Sequence, residues 1–189
     1  MKYMDKRSHN PAVFLDRDGL LIEDRGFLSD ISDVHFYSFT FDSLKRLQKY
    51  FELFIVTNQS GIGKGITSEE DVRKVNEFVL SCLRNKGINI RELFMCVHDS
   101  GEGCSCRKPS PYFAYRARDS YGIDLSRSYM IGDHKSDADF ASNFGGKGIF
   151  VLTGHGESHK HEIEAATVVP SLKEAVELIL SEIKPDRFI

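Results

Sequence analysis

The sequence predicts an α/β fold, a three-layer sandwich built around a mainly parallel sheet. Two observations predict it. Short apolar runs alternate along the chain with segments of helical periodicity, and each run ends in polar or glycine-rich sequence. The length of 189 residues suits one domain with a sizeable core, read as 1–189.

The first run, "AVFLD" at 12–16, reads as a buried strand, and 20–40 as a polar, glycine-punctuated loop. A helix is expected at 41–50, then a strand at "ELFIVT" (52–57). Thr67-Ser68-Glu69-Glu70 carries a capping-box pattern, and Val72, Val75, Val79 and Cys82 form an apolar stripe behind it, so Cys82 reads as core. Strands follow at "LFMCV" (93–97), "SYMIGD" (128–133) and "GIFVLT" (148–153). Helices are expected at 110–121, 135–144 and 171–183, with a loop at 154–166. The apolar face of the last helix, Leu172, Ala175, Val176 and Ile179, reads as core packing, and a monomer is expected. Strand–helix alternation of this kind is Rossmann-like, and its ligand crevice lies beyond the carboxyl ends of the strands.

Composition narrows the function classes. Hydrophobic residues make up 41% and charged residues 28%, as in ordinary globular proteins. A net charge of −3 with no basic stripe argues against nucleic acid or an anionic membrane as partner. No apolar run is long enough to span a bilayer, and the basic N-terminal stretch lacks a signal-peptide core. A cytoplasmic setting is the expectation, and clustered cysteines there read first as metal ligands.

Polar residues collect at the strand ends. "FLDRDG" puts Asp16 at the end of one strand and Asp18 in the turn that Gly19 permits. Two carboxylates this close suit a hard divalent cation, separate nucleophile and acid/base roles, or both; a solvated turn is the plainer alternative. "IVTNQSGIGKG" follows a strand with the Thr57 hydroxyl, Asn58, Gln59 and Ser60, groups suited to phosphate oxygens, and it is not a nucleotide P-loop. Lys108 would add a cation. "MIGDHKSDADFA" offers Asp133 as a metal ligand, with Asp137 four residues on, either orienting Lys108 or serving the helix dipole.

Cys96, His98, Cys104 and Cys106 form C-x-H-x5-C-x-C, three of the four cysteines within eleven residues. Four such ligands match a closed tetrahedral Zn²⁺ site with no position left for a catalytic water, so a structural role is expected. The intervening "DSGEG" has almost nothing with which to build a core, and zinc would fix it and place Arg107 and Lys108 at the phosphate site.

D-x-D-G, a strand ending in Thr, then Lys, then G-D-x3-D, in that order over roughly 12–153, resembles the haloacid dehalogenase-like phosphohydrolase superfamily. The resemblance implies Asp16 as nucleophile and Asp18 as acid/base. It implies Mg²⁺ on Asp16, the Asp18 main-chain carbonyl and Asp133, and phosphoryl stabilisation by Thr57 and Lys108. The short intervals from Asp16 to Thr57 and on to Lys108 leave room for only a minimal cap. The C-x-H…C-x-C-R-K-P run looks like the branch that contains heptose bisphosphate phosphatases and histidinol-phosphate phosphatases. "TNQSGIGKG", "EDRGFL" (23–28), which resembles their flap, and "LTGHG" (152–156) lean toward the heptose enzymes. They imply a small phosphorylated sugar as partner and substrate contacts at Asp24, Arg25, Gly26, Phe27, Asn58, Gln59, Ser60, Arg107 and His134. Leu20 replaces the family's Thr or Val after D-x-D-G, His134 stands where Lys often follows G-D, and the usual P-G-V after the flap is missing. A zinc-stabilised binding module without activity would not need Asp16, Asp18 and Asp133 together.

Overall fold

In the computed structural model, residues 10–164 and 166–183 are described; the basic N-terminal stretch up to residue 9 and position 165 of the expected loop 154–166 lie outside them. Among the described residues, six strands form one parallel sheet: β1 (Ala12–Leu15), β2 (Glu52–Asn58), β3 (Ile90–Cys96), β4 (Tyr129–Gly132), β5 (Lys147–Val151) and β6 (Thr167–Val169). Their spatial order is β3-β2-β1-β4-β5-β6. The chain leaves β1 toward β2 on one side, whereas β4 lies on the other. The switch point therefore falls between the ends of β1 and β4, where a crevice opens in sheets of this type.

The two middle strands, β1 and β4, are buried along their whole length because both of their faces are covered. All of β1 is buried, and its side chains alternate between two cores. Val13 and Leu15 join Leu53 and Ile55 under α1 (Thr40–Leu47), α3 (Glu69–Asn85) and α7 (Leu172–Glu182). Phe14 joins Phe54, Phe94 and Phe140 under α4 (Tyr112–Tyr121) and α5 (Lys135–Phe144). The second core is largely aromatic, with Phe14 stacked on Phe54 at 5.4 Å and Phe94 on Phe113 at 5.0 Å between ring centroids. The four α7 residues expected to pack inward are fully buried.

The structure corrects several expectations. The stripe of α3 ends on Leu83, which is buried, and not on Cys82, which is half-buried. At about 100° per residue, Cys82 lies some 80° from Val72 around the helix, whereas Leu83 lies about 20° from it. The expected polar loop 20–40 begins with Leu20, Leu21 and Ile22, all fully buried, and is tied down by bridges from Ile22 to Asp18 and to Phe36. A one-turn helix, α2 (Ser60–Gly63), occupies the expected glycine-rich turn, and α6 (Gly156–His159) lies in the second expected loop. Strand β6 escaped the sequence pattern because it is only three residues long and half exposed on the sheet edge. Among the described residues, no helix is long and apolar enough to cross a membrane.

Candidate active site

Parallel strands deliver the polar residues to one end of the sheet. Asp16 directly follows β1, Thr57 is the last residue but one of β2, and Asp133 directly follows β4. Lys108 enters from the loop after β3, and Asp137 from the first turn of α5. The structure brings all five together. Lys108 Nζ lies 3.0 Å from Asp16 Oδ1 and 2.6 Å from Asp137 Oδ1, and all three side chains are almost wholly buried. Burial alone would lower the Lys108 pKa; Asp137 and Asp16 reverse that and hold it above the ordinary lysine value.

One ammonium does not balance these carboxylates. Burial, opposed by Lys108 and reinforced by Asp137 and Asp18, pushes the Asp16 carboxyl up to about 7. Burial, with Asp16 and Asp137 nearby, pushes Asp133 up to about 8. Asp133 Oδ2 accepts the His155 N–H at 2.7 Å, while its buried Oδ1 accepts no hydrogen bond. Carboxylate oxygens of Asp16, Asp133 and Asp137 lie within 4.8 Å of one another. The walls are close: a Cβ on Gly19 or on Gly154, both with positive φ, would collide with the Asp133 carboxylate. An all-oxygen, acidic and under-neutralised cradle with a bare inward oxygen fits a hard divalent cation such as Mg²⁺.

Raised carboxyl pKa values mean that the metal-free fold is favoured while Asp16 and Asp133 are protonated. That contribution is complete below the ordinary value of 3.8 and is lost as pH rises through about 7 and 8. Mg²⁺ requires the ionised forms, so the Mg²⁺-induced rise in melting temperature should grow from about pH 5 to about pH 8. Melting curves with and without Mg²⁺ across that range check this; a shift that shrinks with pH would contradict it.

Asp18 sits in a clamp. Arg17, fully buried, donates to both of its carboxylate oxygens at 2.9–3.2 Å from Nε and Nη2. Asn76 of α3 accepts from Arg17 Nη1 at 2.5 Å. Gln59 Nε2 bridges Asp18 Oδ2 (2.9 Å) and Thr57 Oγ1 (2.6 Å). The acid/base candidate, the Thr57 hydroxyl and helix α3 thus form one network. Asn58 lines the pocket, but both of its amide atoms hold the main chain of Lys108, at 3.0 and 3.2 Å.

The pocket has a volume of about 350 Å³. Asp16, Asp18, Thr57 and Lys108 line its floor; Asp24, Gly26, Phe27, Ser60, Arg107 and His134 line its walls and mouth. Phe27 is about half exposed, lies against Gly61 of α2, and has Lys64 5.6 Å from its ring. Arg25 departs from the expected set: it is not part of the pocket lining and pairs with Glu23 in solvent at 2.6 Å. The loop "LTGHG" closes the floor, with Thr153 Oγ1 donating to Gly19 O at 2.6 Å.

The cysteine loop converges as its spacing implies. Sγ–Sγ separations among Cys96, Cys104 and Cys106 are 3.4–3.8 Å, and His98 Nδ1 lies 3.7 and 3.4 Å from the Cys96 and Cys106 sulfurs. Bonds of about 2.3 Å to sulfur and about 2.0 Å to nitrogen place tetrahedral ligands roughly 3.5–3.8 Å apart. The sulfurs are too far apart for a disulfide, and all three cysteines are free. Between the ligands, residues Ser100–Glu102 form a short 3-10 helix with no buried residue. Arg107 Nη1 donates to His98 O at 3.4 Å, which links the cluster to the pocket wall.

Sequence reasoning passed over Arg17, Asn76 and His155. Two left a signal: an arginine directly between two carboxylates, and an asparagine inside the apolar stripe of α3. His155 left none, because its contact with Asp133 is made by its main chain.

Comparison with known proteins agrees with this geometry. The sequence profile of the HAD-hydrolase-like family matches residues 105–175. A D-glycero-beta-D-manno-heptose-1,7-bisphosphate 7-phosphatase of Yersinia pestis is 34% identical over 184 residues, 92% of this chain and 97% of the relative. One from Helicobacter pylori is 39% identical over 130 residues, 68% and 75% of the two chains. The crystal structure of D,D-heptose 1,7-bisphosphate phosphatase from B. bronchiseptica, complexed with magnesium and phosphate, superposes with a TM-score of 0.83 at 26% identity, covering 92% of this chain and 99% of that one.

Proposed function

The chain belongs to the HAD-like phosphatases, in the family of the heptose 1,7-bisphosphate 7-phosphatases, and on that footing we propose that it removes the 7-phosphate of D-glycero-β-D-manno-heptose 1,7-bisphosphate. The observation that carries the chemistry is the Asp16–Lys108–Asp137 ion triad beside a bare, buried Asp133 oxygen at the switch point.

Lys108 and the main-chain N–H of Arg17 both contact Asp16 Oδ1, the latter at 2.7 Å. Oδ2 is therefore the oxygen that attacks phosphorus. As the new O–P bond forms, the ester O–P bond breaks, and Asp18 gives its proton to the leaving sugar oxygen. The resulting aspartyl-phosphate is hydrolysed when Asp18, now a carboxylate, takes a proton from water that attacks phosphorus; this returns Asp16 and phosphate. Arg17, Asn76 and Gln59 keep the Asp18 carboxyl in one place through both proton transfers. Lys108, anchored by Asp137, and the Thr57 hydroxyl donate to the phosphoryl oxygens. Mg²⁺ would be held by Asp16, Asp133 and the Asp18 carbonyl, and when bound it neutralises charge on the phosphoryl group.

Arg107 on the wall suits the second phosphate or the sugar hydroxyls. The apolar Phe27 on the flap bounds the sugar. Steady-state kinetics with Mg²⁺ on both heptose bisphosphate anomers and on histidinol phosphate test the reading. The β anomer should exceed histidinol phosphate in kcat/KM by about 100-fold or more, about 2.7 kcal/mol of transition-state binding. Preference for histidinol phosphate would overturn the substrate and leave the chemistry intact.

A further inference from the structure

A third cluster of potential metal ligands lies at the mouth of the pocket, apart from the acidic cradle and the cysteine loop. Asp24 stands on the flap after β1, His134 at the junction of β4 and α5, and His155 in the loop after β5. One ligand atom from each lies within 4.8 Å of the others. His155 Nε2 is 3.0 Å from Asp24 Oδ2. Asp24 Oδ1 is taken by the N–H of Gly26 at 2.7 Å, which fixes the carboxylate with Oδ2 toward the histidine. The rings of His134 and His155 are 5.1 Å apart, and His159 packs on both at 5.3 and 6.0 Å. His159 is itself held by Glu162, 3.1 Å from its Nδ1.

We propose that Asp24, His134 and His155 form a third metal site, for a borderline transition-metal ion of the Zn²⁺ class, which fastens the flap across the mouth of the pocket. Two imidazoles and one carboxylate make a three-ligand set with an open position, the type that zinc uses where it exchanges ligands. Imidazole nitrogen selects Zn²⁺, Ni²⁺ or Co²⁺ over Mg²⁺, and the absence of thiolate separates the site from the cysteine cluster. The loops after β1, β4 and β5 already touch beneath the site, where Thr153 reaches Gly19 and the His155 N–H reaches Asp133, and an ion bound to the three side chains adds a tie at the mouth. Its effect on turnover rests on the substrate contacts proposed above for Asp24 and His134: an ion there competes with substrate and raises KM.

The test is calorimetric titration of Zn²⁺ into protein whose cysteine site is already zinc-loaded and whose acidic site is saturated with Mg²⁺. One further equivalent is expected in the unaltered protein, with affinity at least about tenfold weaker in His155→Gln and in Asp24→Asn. These two variants alter different loops, so a folding defect in one leaves the other to decide. Co²⁺ in place of Zn²⁺ should give a ligand-field absorption without sulfur charge transfer, lost in both variants. No further equivalent, or one that persists unchanged in both variants, overturns the site and leaves Asp24–His155 a plain ion pair. Binding of the ion without a change in KM upholds the site and overturns the substrate contacts of Asp24 and His134.

Discussion

Asp16→Asn should lose at least about 10⁴-fold in kcat while melting at the same or a higher temperature than the unaltered protein when both are measured without Mg²⁺ near pH 8. The two halves of this result have one cause. Asp16 belongs to a group of buried carboxylates served by a single ammonium, and its carboxyl is raised to about 7 chiefly by burial. An amide of the same shape removes a charge that the metal-free fold holds at a cost. It also removes the nucleophile, because an amide oxygen forms no stable phosphoryl ester. Kinetics and melting curves on one preparation check both halves. A variant that keeps its activity would sink the aspartyl mechanism. One that is inactive but strongly destabilised would show that the Lys108–Asp16 pair holds the fold together.

Loss of the cysteine cluster should act on stability first and on catalysis second. Cys106→Ser is expected to release zinc and to lower the melting temperature by about 10 °C, the equivalent of some 3–5 kcal/mol for a domain of this size. The loop from His98 to Cys104 contributes no buried apolar residue, so nothing else on it offsets the ordering of its backbone. The cluster is followed directly by Arg107 and Lys108, so kcat/KM should fall by about 10–100-fold. Lys108 should keep part of its position, because Asn58 grips its main chain from β2. Metal analysis, melting curves and steady-state kinetics of the variant report each effect. Unchanged stability after zinc loss would contradict a structural role.

Strand and helix positions were legible because burial on two faces leaves long apolar signals. β1, β2 and β4 are wholly or mostly buried, and each lies within a residue or so of where the sequence puts it. β6 and α6 were not legible: three residues on an exposed edge, and a glycine followed by three polar residues, carry no periodicity. The convergence of Asp16, Thr57, Lys108, Asp133 and Asp137 followed from their places after strands, since parallel strands end on one side. What the sequence hid was which groups already hold one another. Asn58 and Gln59 looked like free phosphate ligands, yet one clamps Lys108 and the other bridges Asp18 to Thr57. Arg25 looked like part of the flap's contact surface, yet an exposed turn sends it toward Glu23. Such pairings depend on side-chain direction across elements far apart in the chain, and one-dimensional patterns do not record that.

The most direct test of the account is covalent. Asp18→Asn retains the nucleophile and lacks the base that activates water, so a phosphoryl group placed on Asp16 should stay there. Reaction of this variant with Mg²⁺ and p-nitrophenyl phosphate, whose leaving group needs no proton, followed by acid quench, proteolysis and mass spectrometry, should find one phosphoryl group on the peptide that contains Asp16. Release of p-nitrophenolate with no phosphoryl group on that peptide, or with the group on another residue, would contradict Asp16 as the nucleophile.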